Sequence, residues 1–384
     1  MSLRIGIVGC GLIGRRRAAV AKAAGDQVIA VADLDQARAA QVAQECGAES
    51  TCGWQRLVER QDLDAVVVST VNGALAAITT AALDQGKHVL CEKPLGRNAA
   101  EATRMVQAAQ RNGRLLKTGF NHRHHPAVWQ AHELVRQGAI GPLMFLRAVY
   151  GHGGRPGYDK EWRADANLSG GGELLDQGVH VLDLCRWFLG DFAEAFALTG
   201  TFAWDLGFFP PSSNSSTGIL PVALPSSAGI LPVALPRGAG VPPVHPPFPS
   251  PKRQLEDNAF ALLRTGTGQV AQFHTSWTQW KNRFSFEVYG REGSLGIEGL
   301  GGSYGTEILT ITRRSPEGGA PEQEAEQFAG PDDSWRLEWQ EFVSAISEGR
   351  QPLANGQEGL EAMKLIGVLY ESAGTGQVVN LNGR

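Results

Sequence analysis

Near its start the chain runs through Ile5-Gly6-Ile7-Val8 and directly into Gly9-Cys10-Gly11-Leu12-Ile13-Gly14. A strand that feeds G-x-G-x-x-G leaves few architectures open, because each glycine answers a different steric demand. The first permits a tight turn, the second lets the backbone approach a ligand, and the third lets the next helix sit against the strand. Residues 15–24 are rich in alanine and read as that helix, and a second apolar run over 28–32 ends in Asp33. Free N–H groups at a helix N-terminus receive phosphates, and an acid at the end of the second strand accepts from ribose hydroxyls. The pattern therefore predicts a dinucleotide site built from Gly9, Gly11, Leu12, Ile13, Gly14 and Asp33. A bare glycine-rich turn in another α/β protein is the competing reading, and it leaves the acid unexplained.

The next hundred residues keep the same rhythm. Apolar strand-like runs at 4–8, 27–32, 65–69, 88–91 and 115–119 alternate with helical patterns at 15–24, 35–46, 54–60, 75–85 and 99–112. Such alternation makes βαβ units and a parallel sheet covered on both faces. The fold class expected for residues 1–120 is an α/β Rossmann dinucleotide-binding domain. Ligands of these sheets lie beyond the carboxyl ends of the strands. Thr70 and Asn72 after one strand, and Glu92 and Lys93 after the next, are thus expected to face the cofactor.

A length of 384 residues favours a second domain. Helical patterns at 127–136, 179–189, 335–348 and 358–372 surround alternating runs at 143–150, 259–263, 270–276 and 285–289. That mixture predicts an α+β domain over 121–384 with a largely antiparallel open sheet. One stretch breaks the order. At about 207–252 the chain is rich in proline and serine, and Gly218-Ile219-Leu220-Pro221-Val222-Ala223-Leu224-Pro225 recurs at 229–236. Proline at this density suits neither helix nor sheet ladder. The segment reads as an insertion between two strands with no catalytic role, and its removal is expected to spare activity.

Net charge is -4 and the pI about 6.2, without a basic tail. Neither nucleic acid nor membrane is an expected partner. Five scattered cysteines with no C-x-x-C fit reduced thiols in a cytoplasm better than disulfides or zinc.

Three places beyond the glycine-rich turn carry candidate chemistry. Lys93 in Glu92-Lys93-Pro94 either faces a ligand at a strand end or sits on the surface of a turn. In Gly170-Gly171-Gly172-Glu173-Leu174-Leu175-Asp176-Gln177-Gly178-Val179-His180, the glycines allow close approach of a ligand. Asp176 and His180 share a helical face, and a carboxylate beside an imidazole suits general-base removal of a hydroxyl proton. The alternative makes Asp176 a helix cap and His180 a satisfied core residue. The third place is Asn121-His122-Arg123-His124-His125-Pro126, where adjacent histidines point in different directions and no metal is expected.

These motifs together resemble the Gfo/Idh/MocA oxidoreductases, over nearly the whole chain outside the insertion. The carriers of the resemblance are E-K-P at 92–94, D-x-G-x-H at 176–180, and the segment 121–126. It implies that Lys93, Asp176 and His180 meet at the nicotinamide. Lys93 would hold the reacting oxygen, His180 would move the hydroxyl proton, and Asp176 would position the substrate. It further implies NAD(P)-dependent hydride transfer to or from a sugar, polyol, cyclitol or sugar nucleotide, by a homo-oligomer. Asn121, Arg123, Arg163 and Asp165 become candidate substrate contacts. Asp33 favours NAD over NADP, against which stand Arg15, Arg16 and Arg17. Two other activities fit the scaffold: an NAD-dependent glycosidase with no net redox, and a non-catalytic sensor. The chain departs from the family at Thr70-Val71-Asn72-Gly73-Ala74-Leu75, where many relatives read T-P-N-x-x-H. Substrate choice is expected from loops over 151–168 and 274–283.

Overall fold

The computed structural model describes residues 2–51, 53–154, 157–203 and 255–381. The first half alternates as its sequence demands. Six strands, β1 (Arg4–Val8), β2 (Gln27–Ala32), β3 (Glu49–Thr51), β4 (Ala65–Val68), β5 (His88–Glu92) and β6 (Leu116–Gly119), form one sheet in the order β3-β2-β1-β4-β5-β6. Every pairing in it is parallel. The central strand β4 is buried at all four positions, as a strand covered on both faces must be.

Between the strands run α1 (Leu12–Ala23), α2 (Gln36–Cys46), α3 (Trp54–Val58), α4 (Asn72–Asp84) and α5 (Ala99–Asn112). Local chemistry sets their ends. Asp35 caps α2 by accepting from the Ala37 and Arg38 amides, and Gly47 ends it in the left-handed region. Asn98 and Gly113 do the same for α5, which occupies the residues expected of it. Helix α1 begins three residues earlier than expected, inside the glycine-rich motif, and its N-cap Gly11 supplies no side-chain acceptor.

Among the described residues the second half is a nine-stranded sheet flanked by helices. In chain order its elements are α6 (Pro126–Arg136), β7 (Leu143–Gly151), α7 (Ala166–Ser169), α8 (Val179–Leu189), β8 (Phe192–Gly200), β9 (Asn258–Thr265), β10 (Val270–Ser276), β11 (Arg283–Gly290), β12 (Gly293–Glu298), β13 (Glu307–Arg313), β14 (Glu322–Phe328), α9 (Ser334–Glu348), α10 (Gly356–Thr375) and β15 (Val379–Asn380). The order is β14-β13-β12-β11-β7-β10-β9-β8-β15, and only β7 and β10 run parallel. Strand β9 buries Ala259, Ala261 and Leu263 against the helices and exposes Phe260, Leu262 and Arg264 on the open face. The proline-rich repeat lies outside the described residues. The strands that flank it, β8 and β9, are antiparallel neighbours with Gly200 opposite Asn258.

Helix α9 returns to the first sheet. Trp339 and Phe342 share a core with Ile5, Ile7, Val31 and Leu90. The Trp339 indole donates to Asp26 at 2.8 Å. Arg17 of α1, wholly buried, pairs with Glu338 of α9 and with Glu92 at the end of β5. Helix α10, capped by an Asn355–Glu358 box, packs on both α5 and β8 and so joins the two sheets. No helix among the described residues is long and apolar enough to cross a membrane.

Candidate active site

The glycine-rich turn is shaped for a ligand. Gly9 has φ +93°, and a Cβ there would stand 2.4 Å from the Ser69 carbonyl oxygen. A Cβ on Gly14 would stand 1.7 Å from the Gly9 carbonyl oxygen, so helix and turn meet only because both are glycine. Above Gly11 there is open space, with no atom within 4 Å of where its Cβ would be. The amides opening α1 border that space without a side-chain cap. Leu12 is 76% exposed and Leu34 97%, apolar surface that a bound dinucleotide would cover. Asp33 accepts from the Cys10 amide at 2.7 Å and the Asp35 amide at 2.8 Å, which fixes its carboxylate at the rim of the turn. The residues present therefore fit NAD. Of the three arginines, Arg15 is paired with Glu45, Arg16 lies 4.0 Å from Asp332, and Arg17 is buried.

Beyond β5 lies the second centre. The Lys93 ammonium donates to Asp176 Oδ1 at 2.8 Å and to the Asp176 carbonyl oxygen at 2.7 Å. Arg163 Nε donates to Asp176 Oδ2 at 3.1 Å, and the Tyr158 hydroxyl reaches the same oxygen at 3.5 Å. Burial alone would raise the Asp176 carboxyl. The charges of Lys93 and Arg163 outweigh it and hold the group below the usual carboxylate range. Asp176 sits on a π turn, Leu174–Gly178, that runs into α8. It caps no helix, so that alternative falls.

Asp176 and His180, read in the sequence as one helical face, share no hydrogen bond among the described residues; the carboxylate is held by Lys93 and Arg163 instead. His180 is stacked on His122, ring centroids 3.9 Å apart and 26° between planes. Its Nδ1 is buried without a hydrogen-bond partner among the described residues, so it is not a satisfied core histidine either. Burial first, then the charges of Lys93 and His125, keep its pKa well below the ordinary imidazole value. Burial and those charges thus favour the neutral imidazole.

The glycines of the 170–172 run serve packing. A Cβ on Gly171 would stand 2.4 Å from the Tyr370 hydroxyl, and one on Gly172 would stand 2.1 Å from the Glu256 carbonyl oxygen. The close approach read in the sequence is thus to the protein's own chain. A cavity beside Asp176 is bordered by Trp162, Arg163, Gly172 and Trp277. The loops expected to choose the substrate do converge there, and they bring Tyr158 and Trp277, ring centroids 4.1 Å apart. Leu255, just after the proline-rich segment, packs on the same two rings. No motif marks either aromatic residue; only the loop assignment pointed to them.

Other expected contacts are engaged elsewhere. Asn72 opens α4 and donates to the Ser169 carbonyl at 2.8 Å, tying the cofactor domain to α7. The Thr70 hydroxyl lies at the end of β4 and donates to the Val71 carbonyl at 3.3 Å. Glu92 is held by Arg17. Asp165 caps α7 by accepting from the Asn167 amide. Asn121 donates to Ser334, and Arg123 is wholly buried between Asp183 and Glu358. His125 pairs with Glu307 at 2.5 Å, and no cluster of metal ligands occurs among the described residues.

Comparison with known proteins follows the same division of the chain. Residues 3–120 match the family described as "Oxidoreductase family, NAD-binding Rossmann fold", and residues 128–296 match the "GFO/IDH/MocA C-terminal domain". A 1,5-anhydro-D-fructose reductase of Ensifer adhaerens is 30% identical over 386 residues, covering 98% of each chain. A levoglucosan dehydrogenase of Pseudarthrobacter phenanthrenivorans is 30% identical over 52% of this chain and 54% of its own. The solved structure of a levoglucosan dehydrogenase in complex with NADH superposes with a TM-score of 0.80 at 21% identity, covering 99% of both chains.

Proposed function

The chain belongs to the Gfo/Idh/MocA oxidoreductases and carries their NAD-binding Rossmann domain, and from that premise we propose that it transfers hydride between NAD and a hydroxyl-bearing carbon of a sugar or related polyol. The observation that carries this reading is the doubly bonded Lys93–Asp176 pair, set between the cofactor end of the first sheet and the cavity of the second. NAD, when bound, supplies the hydride acceptor, or in reduced form the donor.

The rest falls to the chain's own groups. Lys93, fixed in place by Asp176, donates to the reacting oxygen and favours negative charge developing there. His180, kept unprotonated, takes the hydroxyl proton during oxidation and returns it during reduction. Asp176 orients Lys93 and, with Arg163 and Tyr158, walls the substrate side. The Trp162 and Trp277 rings give a sugar's C–H faces an apolar surface. Sugar dehydrogenation and reduction are the activities of the relatives named above, and neither a glycosidase nor a sensor is among them. The exposed apolar row Leu198, Phe260 and Leu262 on the open sheet supports a homo-oligomer that buries this face.

A nicotinamide-absorbance screen over polyols, aldoses, anhydrosugars, cyclitols and sugar nucleotides tests the reading. Reduction or oxidation of the cofactor with one class, lost in Lys93→Ala and His180→Ala, is the expected result. NAD binding without turnover of any class would refute it.

A further inference from the structure

Residues 121–126 hold three histidines that the hydride-transfer reading leaves without a task. One of them, His122, is buried and lies face to face with His180, ring centroids 3.9 Å apart. Its other sides are closed by Tyr150, His125 and Phe284, each edge-on at 5.1, 5.5 and 5.9 Å. These rings fix the plane of His122, and that plane is the one presented to the proposed base. Phe120 and Tyr150 meet His180 only by their edges, at 6.1 and 6.3 Å.

A chain of hydrogen bonds decides which nitrogen of His122 carries its proton. Asp332, just before α9, accepts from the Ser334 hydroxyl at 2.6 Å. A hydroxyl has one hydrogen to give, so Ser334 Oγ accepts from the Asn121 amide nitrogen at 3.0 Å. The Asn121 amide oxygen is thereby turned to His122 Nδ1 at 3.2 Å, and an amide oxygen only accepts. Nδ1 is therefore the donor. Nε2 keeps a lone pair that meets no donor among the described residues. Asn121 and Ser334 are buried, which shields the chain from water. Burial first, then the charges of His180, His125 and Lys93, disfavour a second proton on this ring.

We propose that His122 is a positioning residue for His180: a neutral ring, its tautomer set from Asp332 through Ser334 and Asn121, whose face holds the base in the plane that meets the substrate hydroxyl. A general base needs a group that orients it. The carboxylate nearest in sequence, Asp176, is held by Lys93 and Arg163, and the stack takes its place. When His180 takes the hydroxyl proton, its positive charge forms over the face of an uncharged ring, which attracts it. The role given to His180 rests on the hydride-transfer reading above; the stack and the tautomer do not.

Two measurements on the full chain test this. NMR of ring-labelled histidine, without substrate, should show the Nδ1–H tautomer at His122, and Ser334→Ala should weaken that preference. The same spectra should show His180 ring protons shifted upfield by the stacked face, a shift lost in His122→Leu and kept in His122→Phe. Turnover is then compared in these two variants. His122→Leu should lower kcat by about 10- to 100-fold and enlarge the solvent isotope effect, with KM and NADH affinity unchanged. His122→Phe, which keeps an aromatic face, should recover most of that loss. An Nε2–H tautomer in the wild type, undiminished kcat in His122→Leu, a loss shared by KM and NADH affinity, or no recovery in a folded His122→Phe would overturn the proposal. If the wild type turns over no sugar, the hydride-transfer reading falls, and the NMR signals alone decide whether His122 orients His180.

Discussion

Lys93 meets Asp176 twice, through the carboxylate at 2.8 Å and through the backbone carbonyl at 2.7 Å. The second bond belongs to the main chain and survives any change of the side chain. The ammonium is thus anchored to the π turn itself, and the carboxylate is left to Arg163 and Tyr158 as well.

Asp176→Asn separates these roles. The lysine stays anchored by the carbonyl, so the fold should hold, at a cost of about 1–3 kcal/mol for the weakened charged hydrogen bonds. Turnover should fall about 100-fold while NAD affinity holds. The stabilisation from this carboxylate has a definite pH window. Its folded pKa is depressed, so the contribution is fully present above about pH 4 and fades only as pH falls below the usual carboxylate range. Denaturant melts of wild type and variant at several pH values should therefore show a constant gap from pH 7 to about pH 5.

His180 should titrate below its ordinary value of about 6.5. Burial is the largest cause, and Lys93 and His125 add like charge, with His122 stacked against its face. NMR of ring-labelled histidine reads this directly. In Lys93→Met the midpoint should move up; a wild-type midpoint at or above 6.5 contradicts the account.

Acid should destabilise this protein early. His122, His124 and His180 are all buried with pKa values well below the ordinary one, chiefly through burial. The unfolded chain binds protons that the folded one refuses, so stability is lost as pH falls through about 6.5. Each imidazole contributes a slope of up to about 1.4 kcal/mol per pH unit. Urea melts at pH 7.5, 6.5 and 5.5 check it; a flat profile across that range is the contrary result.

Much of this architecture is legible in the sequence, for identifiable reasons. Helix α5 is bounded by its own cap residues, Asn98 and Gly113, the β4 run is apolar throughout, and β5 is apolar over Val89, Leu90 and Cys91. Strand β14, Glu-Gln-Glu-Ala-Glu-Gln-Phe, shows no apolar alternation, because it is an exposed edge whose pairing to β13 is the only sign of it. Asn72 and Glu92 carry cofactor-like positions, yet their partners Ser169 and Arg17 are 97 and 75 residues away. No local pattern announces such a partner. Trp339 is the extreme case, meeting Asp26 across 313 residues.

That last contact has its own consequence. Trp339 is wholly buried in the core of the cofactor domain. Trp339→Ala should cost about 3–5 kcal/mol and should weaken NAD binding through the loosened first domain. Thermal melts with and without NAD measure both; a variant as stable as wild type would show α9 to be dispensable to that domain.

The central claim is hydride transfer at the Lys93–Asp176–His180 centre. The most direct measurement incubates the enzyme with NAD and a sugar deuterated at carbon, chosen from the absorbance screen, and follows the label by mass spectrometry. The account predicts one deuterium carried into the reduced cofactor, with no exchange into water, and its loss in Lys93→Ala and His180→Ala. Deuterium that washes into solvent, or transfer undiminished in both variants, would contradict it.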